Sequence, residues 1–333
     1  MMIKNIKYVD GKGFDPYLNL ALEEYLMQNV KENECILYLW QNENTIVIGR
    51  NQNPWKECKI HEFERDGGHL VRRLSGGGAV YHDQGNLNFT FLIRKQDYDV
   101  DRQLEVIVKA VRKLGIKAEK SGRNDITVSG RKFSGNAFYT RGDRCYHHGT
   151  MMVNSDLTKL SGYLQVSKEK LKLKGVDSVR SRVTNLSVYH PDLNIDILKE
   201  KLIEAFEEVY GQKAVIYAQN DLDQKALQKG REKFSSWEWL FGRDMKFQYE
   251  LSKRFIWGNV DFQFQVNQGV VRDIQLFSDS MDPDFIDSIP EYLKGCRYEN
   301  QDLTAGLSLV PAAIKARQEM KEDLVIYFTS VEL

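Results

Sequence analysis

Apolar positions along this chain recur at helical spacing in some stretches and alternate in others, and the switches between the two periods mark out its elements. Asp15-Pro16 reads as an N-cap with proline at the first helical position, opening a helix through about residue 30. Leu18, Leu22, Tyr25 and Leu26 return at helical spacing and are expected to face the core. Residues 35–40 and 45–49 read as two strands across the polar turn 41–44. Three more β-prone runs follow at 69–74, 79–82 and 87–93, separated by 75–78 and 83–86. A helix from about Asp101 carries Leu104, Ile107, Val108, Val111 and Leu114 on one side, with Gly115 as its stop.

Further strands are expected at 125–128, 132–140 and 145–153, with Ser129-Gly130 and residues 141–143 as hairpin turns. Residues 168–185 are basic and aperiodic, which reads as a long loop. A helix over 194–210 returns Leu198, Leu202, Phe206 and Val209, and Gly211 ends it. Residues 225–244 are polar apart from Trp237, Trp239, Leu240 and Phe241. The character changes near Met245. Val260, Phe262, Phe264 and Val266 alternate with polar neighbours, residues 267–269 turn the chain, and 270–277 complete a hairpin with one buried face. Asp282-Pro283 caps another helix, after which a last helix and strand are expected. The fold class is α/β (α+β), with residues 1–245 as one domain and 246–333 as a small α+β domain.

Composition narrows the function. A length of 333 residues suits two cores better than one. Lys plus Arg and Asp plus Glu number 47 each, so the net charge is zero and the basic excess of a nucleic-acid binder is missing. The opening MMIKNIKYVDGKG lacks an apolar h-region, and no run approaches the length of a membrane span. Cys35, Cys58, Cys145 and Cys296 are scattered without zinc-like spacing and read as reduced thiols. A cytoplasmic protein with neither nucleic acid nor membrane as partner is the expectation.

Two segments carry candidate chemistry. In Arg72-Arg73-Leu74-Ser75-Gly76-Gly77-Gly78-Ala79-Val80-Tyr81-His82, three glycines give access to φ > 0 and let the backbone approach a ligand. Successive N–H groups in such a loop form a concave anion receptor, and the arginines can add charge-assisted bonds. Neither familiar phosphate motif fits: nothing supplies the G-K-[ST] of a Walker loop, and Tyr81 stands where the dinucleotide pattern needs its last glycine. A plain glycine turn between strands is the competing reading. In Gly130-Arg131-Lys132-Phe133-Ser134-Gly135-Asn136-Ala137-Phe138, period-two geometry predicts Lys132, Ser134 and Asn136 on one face and Phe133, Gly135 and Ala137 on the other. A lone strand lysine is commonly a solvated edge residue. Sharing a face with two polar side chains makes it a ligand-facing candidate. Asn124 and Asp125 offer oxygens at a strand start, for turn capping or for a Mg²⁺ on nucleotide phosphates. Cys145 and His147 are expected to share a strand face, which leaves a thiolate–imidazole nucleophile to be weighed against a passive thiol.

With these segments in view, the chain resembles the lipoate–protein ligases, specifically the two-domain A type. The resemblance rests on residues 72–83, on Val47-Ile48-Gly49-Arg50 with residues 52–58, on residues 121–125, on Lys132 with Ser134-Gly135, and on residues 147–150. KGVDSVRSRVTN (174–185) and Ser235-Ser236-Trp237-Glu238-Trp239 also match, and 255–258 and 277–284 do so more faintly. The resemblance implies the fold shared with biotin ligases and the class II synthetase core, with 1–245 as catalytic domain and 246–333 as accessory domain. It implies ATP and Mg²⁺ as cofactors and lipoate as substrate, which becomes lipoyl-adenylate with release of pyrophosphate. The lipoyl group then passes to a lysine of lipoyl-acceptor domains in 2-oxoacid dehydrogenase complexes or of the glycine-cleavage H protein. The enzyme is expected to act as a monomer.

By the same resemblance Lys132 is the catalytic residue, touching first the lipoate carboxylate and then the adenylate phosphate. Arg73, Gly78, Ala79, Val80, Tyr81, Asn124 and Asp125 are implied in nucleotide binding, with Asp125 also the Mg²⁺ contact. Lys174, Val179, Arg180 and Arg182 belong to the stretch that matches the adenylate-binding loop. Ser75, Gly76, Gly77, Ser134, Gly135 and His148 are implied around the lipoyl group. Two rival functions remain at this level: an acyltransferase of the same fold working through a Cys145 thioester without ATP, and a non-catalytic lipoate-binding module.

Overall fold

The computed structural model describes residues 3–122, 124–164, 183–217, 222–242 and 245–333. They fall into two compact units, the first made of residues 1–47, 55–72 and 79–236, the second of 48–54, 73–78 and 237–333. Residues 237–245, expected with the first domain, thus group with the second, as do two short excursions from the first.

The strands of the first unit's main sheet are β1 (Asn5–Asp10), β2 (Glu34–Trp40), β6 (Asn86–Arg94), β7 (Ala118–Ser121), β8 (Asp125–Val128), β9 (Arg131–Arg141), β10 (Arg144–Met152) and β11 (Val215–Ile216). They run in the order β11-β1-β2-β6-β10-β9-β8-β7. The β11, β1 and β2 strands are parallel, and the ladder from β2 through β7 is antiparallel. A separate ribbon pairs β3 (Thr45–Ile48) with β4 (His69–Arg72) and β5 (Val80–His82).

Sequence explains the layering. All seven residues of β2 are buried, as a strand covered on both faces requires. Cys35, Leu37 and Leu39, with Phe89, Phe91 and Phe133, meet Val106, Ile107, Leu198, Leu202 and Phe206 from the helices Val100–Lys113 and Ile195–Tyr210. The opposite face meets the helix Pro16–Asn29, whose N-cap Asp15 accepts from the Tyr17 and Leu18 amides at 2.9 and 3.1 Å. That helix is buried more broadly than its leucine stripe predicts. Asn19, Glu23 and Glu24 are buried along with Leu20, Leu22 and Leu26, while Leu18 and Tyr25 are only half-buried. The helix Gln224–Ser235 accounts for part of this, since a Cβ on its Gly230 would stand 2.8 Å from Ala21 Cβ.

The second unit holds the expected hairpin and one strand more: β12 (Tyr249–Phe255), β13 (Gly258–Asn267) and β14 (Val270–Ser278). Val260, Phe262, Phe264, Ile274 and Leu276 face Phe285, Ile286, Ile289, Leu324 and Phe328 from the helices Pro283–Leu293 and Lys315–Ser330. Asp282 caps the first of these through the Phe285 amide at 3.0 Å and takes a two-pronged contact from Arg317 at 2.6 and 2.8 Å. The predicted closing helix and strand are instead two helices, Asn300–Ser308 and Lys315–Ser330. The last of these buries Met320, Leu324 and Phe328 at helical, not alternating, spacing. Among the described residues no helix is long and apolar enough to cross a membrane.

Candidate active site

The Lys132 region departs from simple alternation. Ile126 pairs with Ser134 and Thr127 with Lys132, so Phe133 is the extra residue of a β-bulge. A bulge shifts the side-chain phase by one. Phe133 therefore joins the hydrophobic core, and Ser134 is fully buried opposite Ile126. The predicted common face of Lys132, Ser134 and Asn136 does not form. The lysine instead folds over Gly135, where a Cβ would stand 2.8 Å from Lys132 Nζ and 3.9 Å from Thr150 Oγ1. Glycine at 135 is what leaves room for the ammonium to lie along its own strand.

Lys132 Nζ makes a 2.7 Å ion pair with Asp125 Oδ1, and the two side chains keep 34% and 38% of their exposure. Asp125 sits opposite Gly135 in the ladder. A cation and a carboxylate are thus presented together, accessible, beside a stretch of backbone with no side chain over it. The chain after residue 182 returns to this spot: Thr184 N donates to Lys132 O at 2.9 Å, and the Arg131 guanidinium donates to Val183 O at 2.8 Å. Lys174, Val179, Arg180 and Arg182 lie outside the described residues.

Beneath Asp125 lies a polar chain whose connections no sequence pattern announces. Asn136 donates to the Asn124 carbonyl twice, from its backbone N at 2.9 Å and from Nδ2 at 3.0 Å. Its Oδ1 is 2.8 Å from Nε2 of the fully buried His147, whose Nδ1 is 3.1 Å from Gln103 Oε1. Phe89, Phe91 and Phe138 surround the imidazole at centroid distances of 5.4, 5.9 and 4.9 Å. Burial, with a smaller contribution from His148, pushes the His147 pKa down to about 3, so the ring is neutral at physiological pH. A neutral imidazole donates from one nitrogen only. Both ring nitrogens face amide oxygens while Gln103 Nε2 is without a partner, so a neutral ring with Nε2–H donating to Asn136 Oδ1 is satisfied at Nδ1 only when the Gln103 amide is turned end for end to donate its NH₂. Gly149 permits it, because a Cβ there would lie 2.6 Å from the Phe89 ring and 2.8 Å from Asn136 Oδ1.

His148 points to the other sheet face. Its Nδ1 lies 2.8 Å from Oε1 of the buried Glu23, which also accepts from Thr90 Oγ1 at 2.7 Å, and Thr90 accepts from Trp40 Nε1 at 3.1 Å. Glu23 and Trp40 escaped the sequence reading. For Glu23 the available signal was its i,i+4 spacing from Asn19 within the leucine-rich helical stretch. Thr150 shares this face one ladder position from Trp40's partner Asn88, so the surface from Trp40 to Lys132 is continuous across β2, β6, β10 and β9.

The glycine loop is built within the second unit. Arg73 is nearly buried, and its Nε and terminal nitrogens donate to Ser75 Oγ at 3.1 Å, to Gly76 O at 3.1 and 2.7 Å and to Gly78 O at 2.8 Å. The arginine thus braces the loop's own carbonyls. Gly76 and Gly77 are required by close approach: a Cβ on Gly76 would fall 2.1 Å from Ser280 O, and Gly77 adopts φ +90° while donating its N–H to that same carbonyl at 3.0 Å. Gly78 has open space around it. Ala79, Val80 and Tyr81 belong to the first unit, where Val80 and Tyr81 pair with Val47 and Ile46 and the Tyr81 hydroxyl donates to Asn44 Oδ1 at 3.1 Å.

The cysteine alternative lacks its geometry. Cys145 is buried, its Sγ lies 3.2 Å from Thr140 Oγ1, and burial raises its pKa. His147 has both nitrogens engaged elsewhere. No cluster of three or more metal-ligating side chains occurs among the described residues.

The family model described as the lipoyl protein ligase A/B catalytic domain matches residues 15–207, and that of the bacterial lipoate protein ligase C-terminus matches 244–327. A lipoate-protein ligase A of Psychrobacter cryohalolentis is 42% identical over 87% of this chain and 88% of its own length. One from Bdellovibrio bacteriovorus is 38% identical over 92% and 93%. Among solved structures, P. falciparum LipL1 in complex with lipoate superposes with a TM-score of 0.85 at 30% identity, over 97% of this chain and 100% of its own. A lipoate-protein ligase A bound with ATP gives 0.62 at 26% identity, over 72% and 99%. The bi-partite ligase of Thermoplasma acidophilum, studied with its E2 lipoyl domain, gives 0.64 at 27% identity, over 74% and 99%.

Proposed function

The chain belongs to the lipoate–protein ligase A family of enzymes, and on that premise we propose how its own residues activate lipoate with ATP and pass it to an acceptor lysine. The accessible Lys132–Asp125 pair over the open backbone of Gly135 carries this reading. Lipoate lies along the Trp40, Thr90, His148 and Thr150 face with its carboxylate at Lys132 Nζ. One carboxylate oxygen attacks the α-phosphorus of ATP, the bond to the β-phosphate oxygen breaks, and pyrophosphate leaves. Lys132 orients the nucleophile and stabilises charge building on the α-phosphate. In a partly dry site an ammonium about 4 Å from such a charge gains about 4 kcal/mol, against about 1 in water. In the second step a neutral acceptor amine attacks the acyl carbon and AMP departs, with Lys132 on its phosphate.

Asn124 and Asp125 are proposed at the nucleotide phosphates. Asp125 fits a Mg²⁺ held with them, since that ion keeps several waters and needs only one or two protein carboxylates. The ion would neutralise phosphate charge. Arg73, Ser75, Gly76, Gly77 and Gly78, with Ala79, Val80 and Tyr81, are proposed as loop contacts to nucleotide and acyl group, and Gly135 and His148 as contacts to lipoate, with Ser134 limited to its backbone because its side chain is fully buried. Lys174, Val179, Arg180 and Arg182 are proposed as adenylate contacts on the family's pattern. The acceptors are lipoyl domains, proposed as those of 2-oxoacid dehydrogenase E2 subunits or the glycine-cleavage H protein, met by a monomer in the cytoplasm. Purified protein given lipoate, ATP and Mg²⁺ is expected to release pyrophosphate and to modify an apo-lipoyl domain. Binding of lipoate without either product would overturn the reading.

A further inference from the structure

We propose that Asn136 is a positioning residue for lipoate activation: oriented by His147 and Gln103 from inside the fold, it fixes Asn124 and thereby sets the Asp125 carboxylate against Lys132. The inference rests on the reading of the Lys132–Asp125 pair given above.

Asn124 precedes β8 and its carbonyl accepts both Asn136 hydrogen bonds, while the Asn124 side chain returns one to Asn136 O at 3.4 Å. The next residue is Asp125, whose carboxylate meets Lys132 at 2.7 Å. A turn residue clamped twice through one carbonyl has little freedom to rotate its successor. Asn136 in turn has one side-chain conformation that serves both ends. Its NH₂ must point to Asn124 and its oxygen to His147 Nε2. A lone amide can flip end for end at little cost, but here the flipped form would set two donors against each other at His147 and two acceptors at Asn124. The Nε2–H tautomer of His147 is called for by Asn136 Oδ1, and Gln103, fully buried on the helix Val100–Lys113, matches it at Nδ1 with its amide turned to present the otherwise unpartnered NH₂. Asn124 at one end and His147 at the other thus specify the orientation of one amide, and that amide holds the active-site turn. Gly149 keeps the path clear. Asn136 touches no reacting atom, so its contribution is to geometry.

The test uses the full chain and two half-reactions: pyrophosphate release from Mg·ATP and lipoate, and acyl transfer from added lipoyl-adenylate to an apo-lipoyl domain. Asn136→Ala, normalised to folded protein by circular dichroism, is expected to raise KM for Mg·ATP and lower kcat of the first half-reaction by about tenfold together, with KM for lipoate and the second half-reaction unchanged. His147→Phe fits the aromatic cage but offers no nitrogen, and it is expected to give the same signature. His147→Gln, which can donate and accept, is expected to restore the parent values. A merely structural role would scale both half-reactions equally and leave every KM alone, which would overturn the proposal. So would parent-like kinetics in folded His147→Phe. Lys132→Ala measured alongside tests the underlying reading separately. Undiminished pyrophosphate release in that variant would sink the site itself, whereas its loss combined with unaltered Asn136→Ala would sink only the positioning role.

Discussion

Replacing Lys132 with alanine is expected to separate stability from chemistry. The ion pair with Asp125 is 2.7 Å long, but each side chain keeps about a third of its exposure, and such wet pairs contribute about 0–1 kcal/mol. With a urea slope of about 1–3 kcal/mol per molar, the unfolding midpoint is expected to move by less than about 1 M. The effect on adenylation is larger, because the ammonium then acts on charge developing in a substrate-filled site from which water is displaced. Loss of one preorganised donor to a developing anion costs about 3–4 kcal/mol, and at about 1.4 kcal/mol per decade this is a fall of roughly 10²- to 10³-fold. The assay is continuous pyrophosphate release under saturating lipoate and Mg·ATP, with the folded fraction followed by circular dichroism in the same buffer. Adenylation within about threefold of the parent, or a loss fully accounted for by unfolded protein, would refute the assignment.

Cys145→Ala is expected to leave pyrophosphate release and lipoyl transfer intact, because the thiol is buried with its pKa raised; a loss of transfer alone would revive a thioester route. Gly149→Ala places a methyl 2.6 Å from the Phe89 ring and 2.8 Å from the Gly135 carbonyl, for which an overpacking cost of about 1–3 kcal/mol is expected in urea unfolding. Phe328→Ala removes a ring that meets Phe262 edge-on at 5.0 Å in the second unit's core. A loss of about 3–5 kcal/mol is expected there, read as an earlier unfolding step; an unshifted curve would contradict that packing.

Periodic elements were the most legible part of the fold. The helix Ile195–Tyr210 begins at its Asn194 cap and ends at Gly211 with φ +68°, as the spacing and the glycine predict. Strands β8 to β10 and the β13–β14 hairpin also fall close to their predicted positions. Short or polar strands were not legible: β7 is AEKS and β11 has two residues, so neither displays a period, and their pairing partners rather than their composition make them strands. The Lys132 face failed for a definite reason, since one bulged residue at Phe133 inverts every later side chain and no local pattern announces it. Glu23 and the true partners of His147 were hidden by a third cause. Glu23 and His147 are each buried through partners distant in sequence, Thr90 and His148 for one, Gln103 and Asn136 for the other. The substrate itself came from motif resemblance; residue chemistry alone reached only a ligand loop and a lysine.

Lys132 is proposed as the residue at which this chain activates lipoate as an adenylate. The decisive experiment incubates the purified protein with lipoate, ATP and Mg²⁺ in the absence of any acceptor and identifies the bound product by mass spectrometry. Lipoyl-adenylate with equimolar pyrophosphate is expected in the parent and neither in Lys132→Ala. Lipoyl or octanoyl transfer between carrier domains without ATP, abolished by Cys145→Ala and indifferent to Lys132, would contradict it.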